Sequence, residues 1–356
     1  MKILFASLSG LNLMEGGTKI QLLMLKKYLK DFGVEVTLFR EFEDYNLRDF
    51  QLFHLFSAEG GTYHLARVLK GLGLRFILSP IFYSRHSPFS LRLLTAPVFF
   101  LRRFFGIWTE HTYVKELCLL SDWVAPNTEK EKELLVRGLG IKGERITVIP
   151  NGVEERFYYA QPDLFSQTYK LKDFILYTGH IGWGRKNLLR LLKVLRRLRY
   201  PAVLIGKVIQ TEYGKKCLAI VEDSPWIKII DHLPHSSPLL ESAYAASSVF
   251  VLPSLYETPG LSALEAGLAG AKIVITRYGG TEEYYKDYAT YVNPYSEKSI
   301  EQGIITALNK RKTDDLREHI KRHFLWQSVA EKLFFLYQKV SQEESPGKKL
   351  EFRNRR

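Results

Sequence analysis

Cysteine is nearly missing from this chain: among 356 residues, Cys118 and Cys217 are the only thiols. Far apart and each inside a predicted helix, they form neither a disulfide framework nor a zinc spacing, which points to a reducing cytoplasm. No apolar run reaches the ~20 residues of a membrane-spanning helix. The opening KILFAS lacks the apolar core and cleavage site of a leader and reads as a strand. No period of the solenoid kind recurs. Acidic charge is scarce relative to basic charge, with 38 Asp+Glu against 51 Lys+Arg and a net charge of +13. Such an excess suits nucleic acid, an anionic membrane or a phosphorylated substrate, and charge alone does not choose. No nucleic-acid-binding module accompanies it, so nucleic acid is not expected as a partner.

What is present is globular: 46% hydrophobic and 13% aromatic residues, in a chain longer than one hydrophobic core usually supports. Strands are expected at Lys2–Ala6, Val34–Phe39, Leu52–Phe56, Arg75–Leu78, Asp122–Pro126 and Ile146–Ile149. Helices are expected at Lys19–Lys30, Thr62–Leu72 and Asn127–Val136, the last capped by Asn127 or Thr128. After Pro150-Asn151-Gly152, a turn able to redirect the chain, the alternation restarts. Strands follow at Phe174–Thr178, Ala202–Ile205, Ile227–Ile230, Ser248–Leu252, Lys272–Thr276 and Tyr291–Asn293, separated by helical patterns such as Asn187–Leu198 and Pro238–Ala246. Two doubly wound α/β domains result. Boundaries are expected at 1–150 for the first domain, 151–172 for a linker and 173–325 for the second, with a closing helix at 326–340. The polar tail 341–356 is expected to be disordered.

The chain is organised around Pro253–Ala271, PSLYETPGLSALEAGLAGA. It follows a buried strand, and Thr258 is expected as the N-cap of a helix with Pro259 at its first position. Leu261, Ala263, Leu264, Ala266, Leu268 and Ala269 make that helix apolar nearly all round, hence buried. Glu257 and Glu265 interrupt it, and a buried carboxylate is costly unless paired or bound to something. A second feature is the loop GHIGWGRKN, where Arg185 and Lys186 stand between a strand–glycine end and a helix start. A third is the pair Gly16–Gly17 after the first strand, where backbone can approach a ligand closely.

These stretches resemble glycosyltransferase family 4, the retaining group 1 enzymes of the GT-B fold. PS followed by E-x-x-G-L and L-E-A-x-x-x-G resembles the family's donor-site signature, ITVIPNGVEERF its interdomain junction, and the Lys186 loop its G-R-x(5)-K loop. The resemblance implies two Rossmann-like domains facing a central cleft, with the closing helix returning to the first. It implies an acceptor-binding first domain and a nucleotide-sugar-binding second domain. By it, Glu265 accepts the ribose hydroxyls, Glu257 lies nearer the sugar, and Lys186 with Arg185 meets the diphosphate. Gly16, Gly17 and Gly179 line the donor. The N–H groups of Gly260 and Leu261, unpaired first-turn donors, face a phosphate. Leu233 marks the region of backbone contacts to the base. The family arginine's position holds His180 instead. Ile81, Phe82 or Tyr83 stands where the family often has a reaction-centre histidine, leaving His86 as the candidate to reach in and His54 and His111 as weaker ones. Such a transfer needs no protein nucleophile if the leaving phosphate assists the acceptor hydroxyl. The sequence carries no Asp-x-Asp, in keeping with a metal-independent reaction without cofactor.

The expected function is therefore transfer of a sugar from a UDP- or GDP-type nucleoside-diphosphate sugar to a glycan or lipid-linked acceptor in cell-surface polysaccharide or lipopolysaccharide synthesis. The alternative keeps the fold without the activity, as a degenerate partner or scaffold. Residues 85–108, RHSPFSLRLLTAPVFFLRRFFGIW, carry four arginines, no acid and many large apolar side chains. They read either as an interfacial segment on an anionic membrane, placing the protein peripherally at the inner face, or as a buried helix with a basic exposed face.

Overall fold

The computed structural model describes residues 1–12 and 16–343, without the side chains of Asn12, Arg102 and Arg103. Two wholly parallel sheets form two α/β domains. The first has the order β2-β1-β3-β4-β5, from β1 (Lys2–Ala6), β2 (Glu35–Leu38), β3 (Leu52–Phe56), β4 (Phe76–Ser79) and β5 (Trp123–Val124). The second has the order β11-β10-β9-β6-β7-β8. Its strands are β6 (Phe174–Thr178), β7 (Ala202–Ile205), β8 (Ile227–Ile230), β9 (Ser247–Leu252), β10 (Lys272–Thr276) and β11 (Thr290–Val292). The central strands are apolar on both faces, as Leu52–Phe56 and Phe174–Thr178 show by being buried throughout. Helices therefore cover each sheet from both sides.

The expected strand Ile146–Ile149 reduces to a single bridge between Ile146 and Val124. Pro150, which has no N–H to donate, ends any ladder there. The helix after Asn127 starts at Glu129, with the Thr128 side chain accepting the Glu131 N–H. The stretch expected as a linker has structure of its own: Glu155–Tyr159 and Asp163–Tyr169 are helical. Phe157 and Phe165 sit in the core of the second domain, because aromatic side chains of this size are worth more buried than spanning solvent.

The closing helix, Trp326–Gln342, crosses back. Trp326, Val329, Leu333, Leu336, Tyr337 and Val340 pack with Ile3, Phe5 and the helix Gly17–Leu29 in the core of the first domain. It includes Ser341 and Gln342 of the expected tail, and 344–356 lie outside the described residues. The two crossings between domains run side by side: the Val153 N–H donates to the Phe324 carbonyl at 2.8 Å and the Trp326 N–H to the Val153 carbonyl at 3.1 Å. Gly152 is required there, since a Cβ would stand 2.6 Å from the Trp326 ring.

His54, in β3, is fully buried between the hydroxyls of Tyr337 at 2.7 Å and Ser79 at 2.9 Å, so it ties the closing helix to the sheet. Burial pushes its pKa down to about 3. A chain that unfolds frees this ring to take a proton below ~6.5. Its contribution is therefore undiminished above that pH and lost as pH falls toward the folded value. The unfolding free energy of the wild type from urea titrations should fall steeply below pH ~6.5, by up to about 1.4 kcal/mol per pH unit from this ring. His54→Gln should start lower and show a shallower pH slope in the same window; parallel slopes would exclude His54 as the sensor.

Candidate functional site

In both sheets the strand order reverses beside the first strand, between β1 and β3 and between β6 and β9. Loops leaving the carboxyl ends of strands at such a reversal form a crevice. In the second domain these are Gly179–Asn187 after β6 and Pro253–Gly260 after β9. Asn187 joins them. It adopts φ 57°, which asparagine tolerates, and its side-chain amide donates to the carbonyls of Pro253 at 2.9 Å and Pro294 at 2.7 Å. The Leu255 N–H donates to the Arg185 carbonyl at 2.9 Å.

Held in this way, Lys186 places Nζ 2.6 Å from Oε1 of buried Glu257, with Arg185 Nη1 3.6 Å from the same oxygen. Burial pushes the Glu257 carboxyl up, but the charges of Lys186 and Arg185 together with the Lys186 hydrogen bond outweigh it and hold the pKa below the ordinary value. The Lys186 ammonium is pushed down by burial and by Arg185, which the Glu257 charge only partly offsets. The Glu257 backbone is clamped as well: its N–H donates to the Tyr278 carbonyl and its carbonyl accepts from the Gly280 N–H. Gly279, at φ 100°, has no room for a side chain, since a Cβ would fall 1.9 Å from the Glu257 carbonyl oxygen.

The start of the next helix corrects the sequence expectation. Thr258 is not its N-cap and Pro259 is not its first residue. The Thr258–Pro259 peptide is cis, Gly260 adopts φ 81°, and the helix runs Leu261–Leu268. A left-handed residue cannot join a right-handed helix, so Gly260 fixes the boundary. Among the described residues, the N–H groups of Gly260 and Leu261 meet no backbone carbonyl.

Glu265 lies within this helix, buried, with its Oε1 2.8 Å from His235 Nε2 and its Oε2 accepting from the Tyr244 hydroxyl at 2.8 Å. Behind it, Glu154 stands 3.7 Å from His235 Nδ1 and accepts from Arg156 at 2.9 Å and from Lys27 of the first domain at 2.7 Å. Burial pushes His235 down, but the Glu265 hydrogen bond and charge raise it above its ordinary value.

Facing this are residues of the first domain. A Cβ on Gly17 would lie 3.7 Å from Leu261 Cδ1, so the Gly16–Gly17 turn borders the Leu261 helix start. Tyr83 stacks on Tyr256 with ring centroids 4.4 Å apart, and Arg185 lies over the Tyr256 ring at 5.2 Å. The Tyr83 loop is set by Glu131, a fully buried carboxylate that accepts the N–H groups of Phe82 and Asn127, each at 2.7 Å. The structure thus brings together Arg185, Lys186, Glu257, Gly260, Leu261 and Gly17. Glu265 occupies the deeper end of the same helix. Gly179 and His180 begin the Lys186 loop, with the His180 ring 5.7 Å from Trp183. Leu233 packs half-buried on the second core. His86 is exposed, its ring 6.2 Å from His111, whereas Tyr83 and Arg85 of that loop reach the second domain at Tyr256 and Tyr295. Sequence reasoning missed His235, Tyr244 and Glu131, and named Tyr83 only as one of three residues standing in the place of a family histidine.

The His235 pair generates a test. Because its folded pKa is raised, the pair stabilises fully below the unfolded value of ~6.5 and is lost as pH rises through the folded value. In Glu265→Gln the downward push of burial is left unopposed by that charge. The His235 ring signals, followed by NMR titration, should then move to a pKa below that of the wild type; an unchanged titration would show that Glu265 does not hold the ring charged.

Comparison with known proteins follows the same lines. The model for Glycosyl transferases group 1 matches residues 165–323 and that for Glycosyltransferase Family 4 matches residues 46–157. D-inositol 3-phosphate glycosyltransferase of Paenarthrobacter aurescens is 28% identical over 176 residues, 46% of this chain and 43% of the relative. O-antigen chain mannosyltransferase B of Escherichia coli is 28% identical over 151 residues, 40% of this chain and 39% of the relative. The chain thus spans under half the length of these relatives. Among solved structures, sucrose-phosphate synthase from Thermosynechococcus elongatus superposes with TM-score 0.75 at 16% identity, over 96% of this chain and 99% of that one. Anabaena HepE in complex with UDP-glucose does so with TM-score 0.70 at 15% identity, over 95% and 100%. Identities this low speak to the fold, which is GT-B. With one family model on each domain, the chain belongs to the group 1, family 4 glycosyltransferases.

Proposed function

We propose that this protein is a retaining glycosyltransferase that moves a sugar from a nucleoside-diphosphate sugar to a glycan or lipid-linked acceptor. One observation carries the reading: Lys186 and Arg185 converge on Glu257 beside the uncommitted N–H groups of Gly260 and Leu261, at a strand-order reversal. Cations and helix-start N–H groups at one point suit a leaving diphosphate. A UDP-type donor gains support from the likeness to HepE, whose structure holds UDP-glucose; a GDP type is the other candidate.

In this reading Lys186 exchanges part of its pairing with Glu257 for the diphosphate as charge develops there, and Arg185 adds a second cation. Glu257, released from that pair, accepts from the sugar. Glu265 already accepts one bond on each oxygen, but a carboxylate has about four acceptor sites. Ribose hydroxyls therefore find lone pairs on a carboxylate held still by His235 and Tyr244. Leu233 marks the base region, and Gly16, Gly17 and Gly179 let backbone approach the donor. The first domain, 1–150, takes the acceptor, the second, 173–325, the donor, and His86 is kept as a residue that acts on the acceptor side. The leaving phosphate itself assists the acceptor hydroxyl. The positive charge comes from the protein, so activity should persist in EDTA. The reading places the enzyme in cell-surface polysaccharide or lipopolysaccharide synthesis, on the cytoplasmic side.

A thermal-shift panel of UDP-, GDP- and ADP-sugars tests it. One class should stabilise the wild type, and Glu265→Ala should abolish that shift. Lys186→Ala should lower kcat/KM by roughly 10²–10³, and the product should keep the donor's anomeric configuration by NMR. Stabilisation by none of the sugars would overturn the reading. Stabilisation without turnover would favour the scaffold alternative, for which His180 in the arginine position speaks.

A further inference from the structure

The helix Pro88–Phe105 is amphipathic the wrong way round for a surface helix. Leu91 and Thr95 are buried, Leu91 against Gly138, where a Cβ would come within 2.7 Å of it. The opposite face is solvent-exposed and apolar: Phe89, Leu93, Leu94, Phe100, Phe104 and Phe105 are each more than half exposed. Phe89, Leu93, Phe100 and Phe104 recur at helical spacing and so form one row. Large contiguous apolar patches mark interaction sites, while single exposed apolar residues need no explanation. Residues 85–108 contain Arg85, Arg92, Arg102 and Arg103 and no acid. The helix is thus buried on one side, and its exposed side carries large apolar residues together with the exposed Arg92.

We infer that this helix is a docking surface for an anionic lipid bilayer. Phe and Leu inserting at the headgroup boundary with basic side chains alongside is the composition of an interfacial helix. An arginine-bearing segment without acids matches a negative surface. A second copy fits worse, since a two-fold contact puts the same patch on both sides and brings arginines together with no carboxylate in the segment to offset them. Among the described residues, no helix is long and apolar enough to cross a membrane, so the helix lies on the surface. Its position adds a consequence. Tyr83 and Arg85, just before the helix, contact Tyr256 and Tyr295 of the second domain, with Arg85 over the Tyr295 ring at 5.7 Å. Docking therefore sets the mouth of the cleft against the bilayer, where a lipid-linked acceptor enters without leaving the membrane. That last step rests on the transferase reading; the docking does not.

Flotation of the full chain with vesicles of phosphatidylcholine alone, or with added phosphatidylglycerol, tests the inference. The wild type should float with the anionic vesicles and far less with the neutral ones. Phe100→Ser/Phe104→Ser and Arg102→Glu/Arg103→Glu should each bind roughly tenfold or more weakly, while keeping the wild-type melting temperature and any nucleotide-sugar shift. No flotation of the wild type, or flotation unchanged in both variants, would overturn the docking. So would a concentration-dependent dimer in sedimentation velocity that Phe100→Ser/Phe104→Ser dissolves without changing flotation. Flotation without any nucleotide-sugar stabilisation would sink the transferase reading and leave the docking standing.

Discussion

The ion pair of Lys186 with Glu257 is the constraint on which the crevice of the second domain depends. It joins two loops that leave neighbouring strands, β6 and β9, and it does so where Glu257 is almost wholly out of water. An unpaired carboxylate there would cost several kcal/mol, so neither loop has a stable position without the other. The surrounding residues serve this geometry. Asn187 pins the Lys186 loop to Pro253, and Gly279 makes room for the Glu257 carbonyl. The Lys186 side chain is still partly open to solvent, so its cation can also meet a competing anion. Under the proposed function, the interaction that holds the loops is the one a diphosphate would draw on.

The domains are joined by the same kind of economy in polar groups. The Glu283 carboxylate, from the second domain, accepts the N–H groups of Glu129 and Lys130 at 2.7 and 2.8 Å. Those are first-turn donors with no intrahelical partner, and a negative charge is favoured at that end. The Tyr284 hydroxyl donates to the Asn127 carbonyl and accepts from the Asn151 N–H. Lys27, on the first domain, reaches Glu154, which stands behind His235 and Glu265. The carboxylate proposed for ribose is therefore linked by successive charges to a helix of the other domain.

The fold was largely legible because strands buried on both faces are continuous apolar runs: β1, β3 and β6 have the bounds that their sequences suggest. The buried carboxylates Glu257 and Glu265 were legible because an acid in or beside an apolar helix stands out. Glu131 is just as buried but sits in EKEKE, which reads as a solvated charged face; only the tertiary N–H groups of Phe82 and Asn127 turn it inward. Its pKa, raised to about 7 by burial against those bonds, has no counterpart in the local sequence. His235 lies in a polar loop, LPHSSP, and gains meaning only when the Leu261–Leu268 helix packs beside it. The misplaced helix start at Thr258 has a local cause. T-P is a good cap pattern, but the left-handed Gly260 comes after it and overrides it.

Closure of the cleft is held unevenly. At the hinge side it rests on buried hydrogen bonds of Tyr284, on Trp326 against Gly152 and on the paired crossings at Val153. At the mouth it rests on Tyr83 stacked on Tyr256 and on Arg85 over Tyr295. An aromatic stack is worth about 0.5–1.5 kcal/mol beyond its buried area, and cation–π contacts at partly exposed sites about 0.5–1. Buried polar groups cost more than that to strip of their partners, about 1–3 kcal/mol each. The mouth therefore opens before the hinge yields. Tyr83 remains a neutral phenol through this, since burial pushes it up to about 12. Under the proposed function, an acceptor entering at the mouth would part the Tyr83–Tyr256 stack and the Arg85–Tyr295 contact, both adjoining the exposed helix.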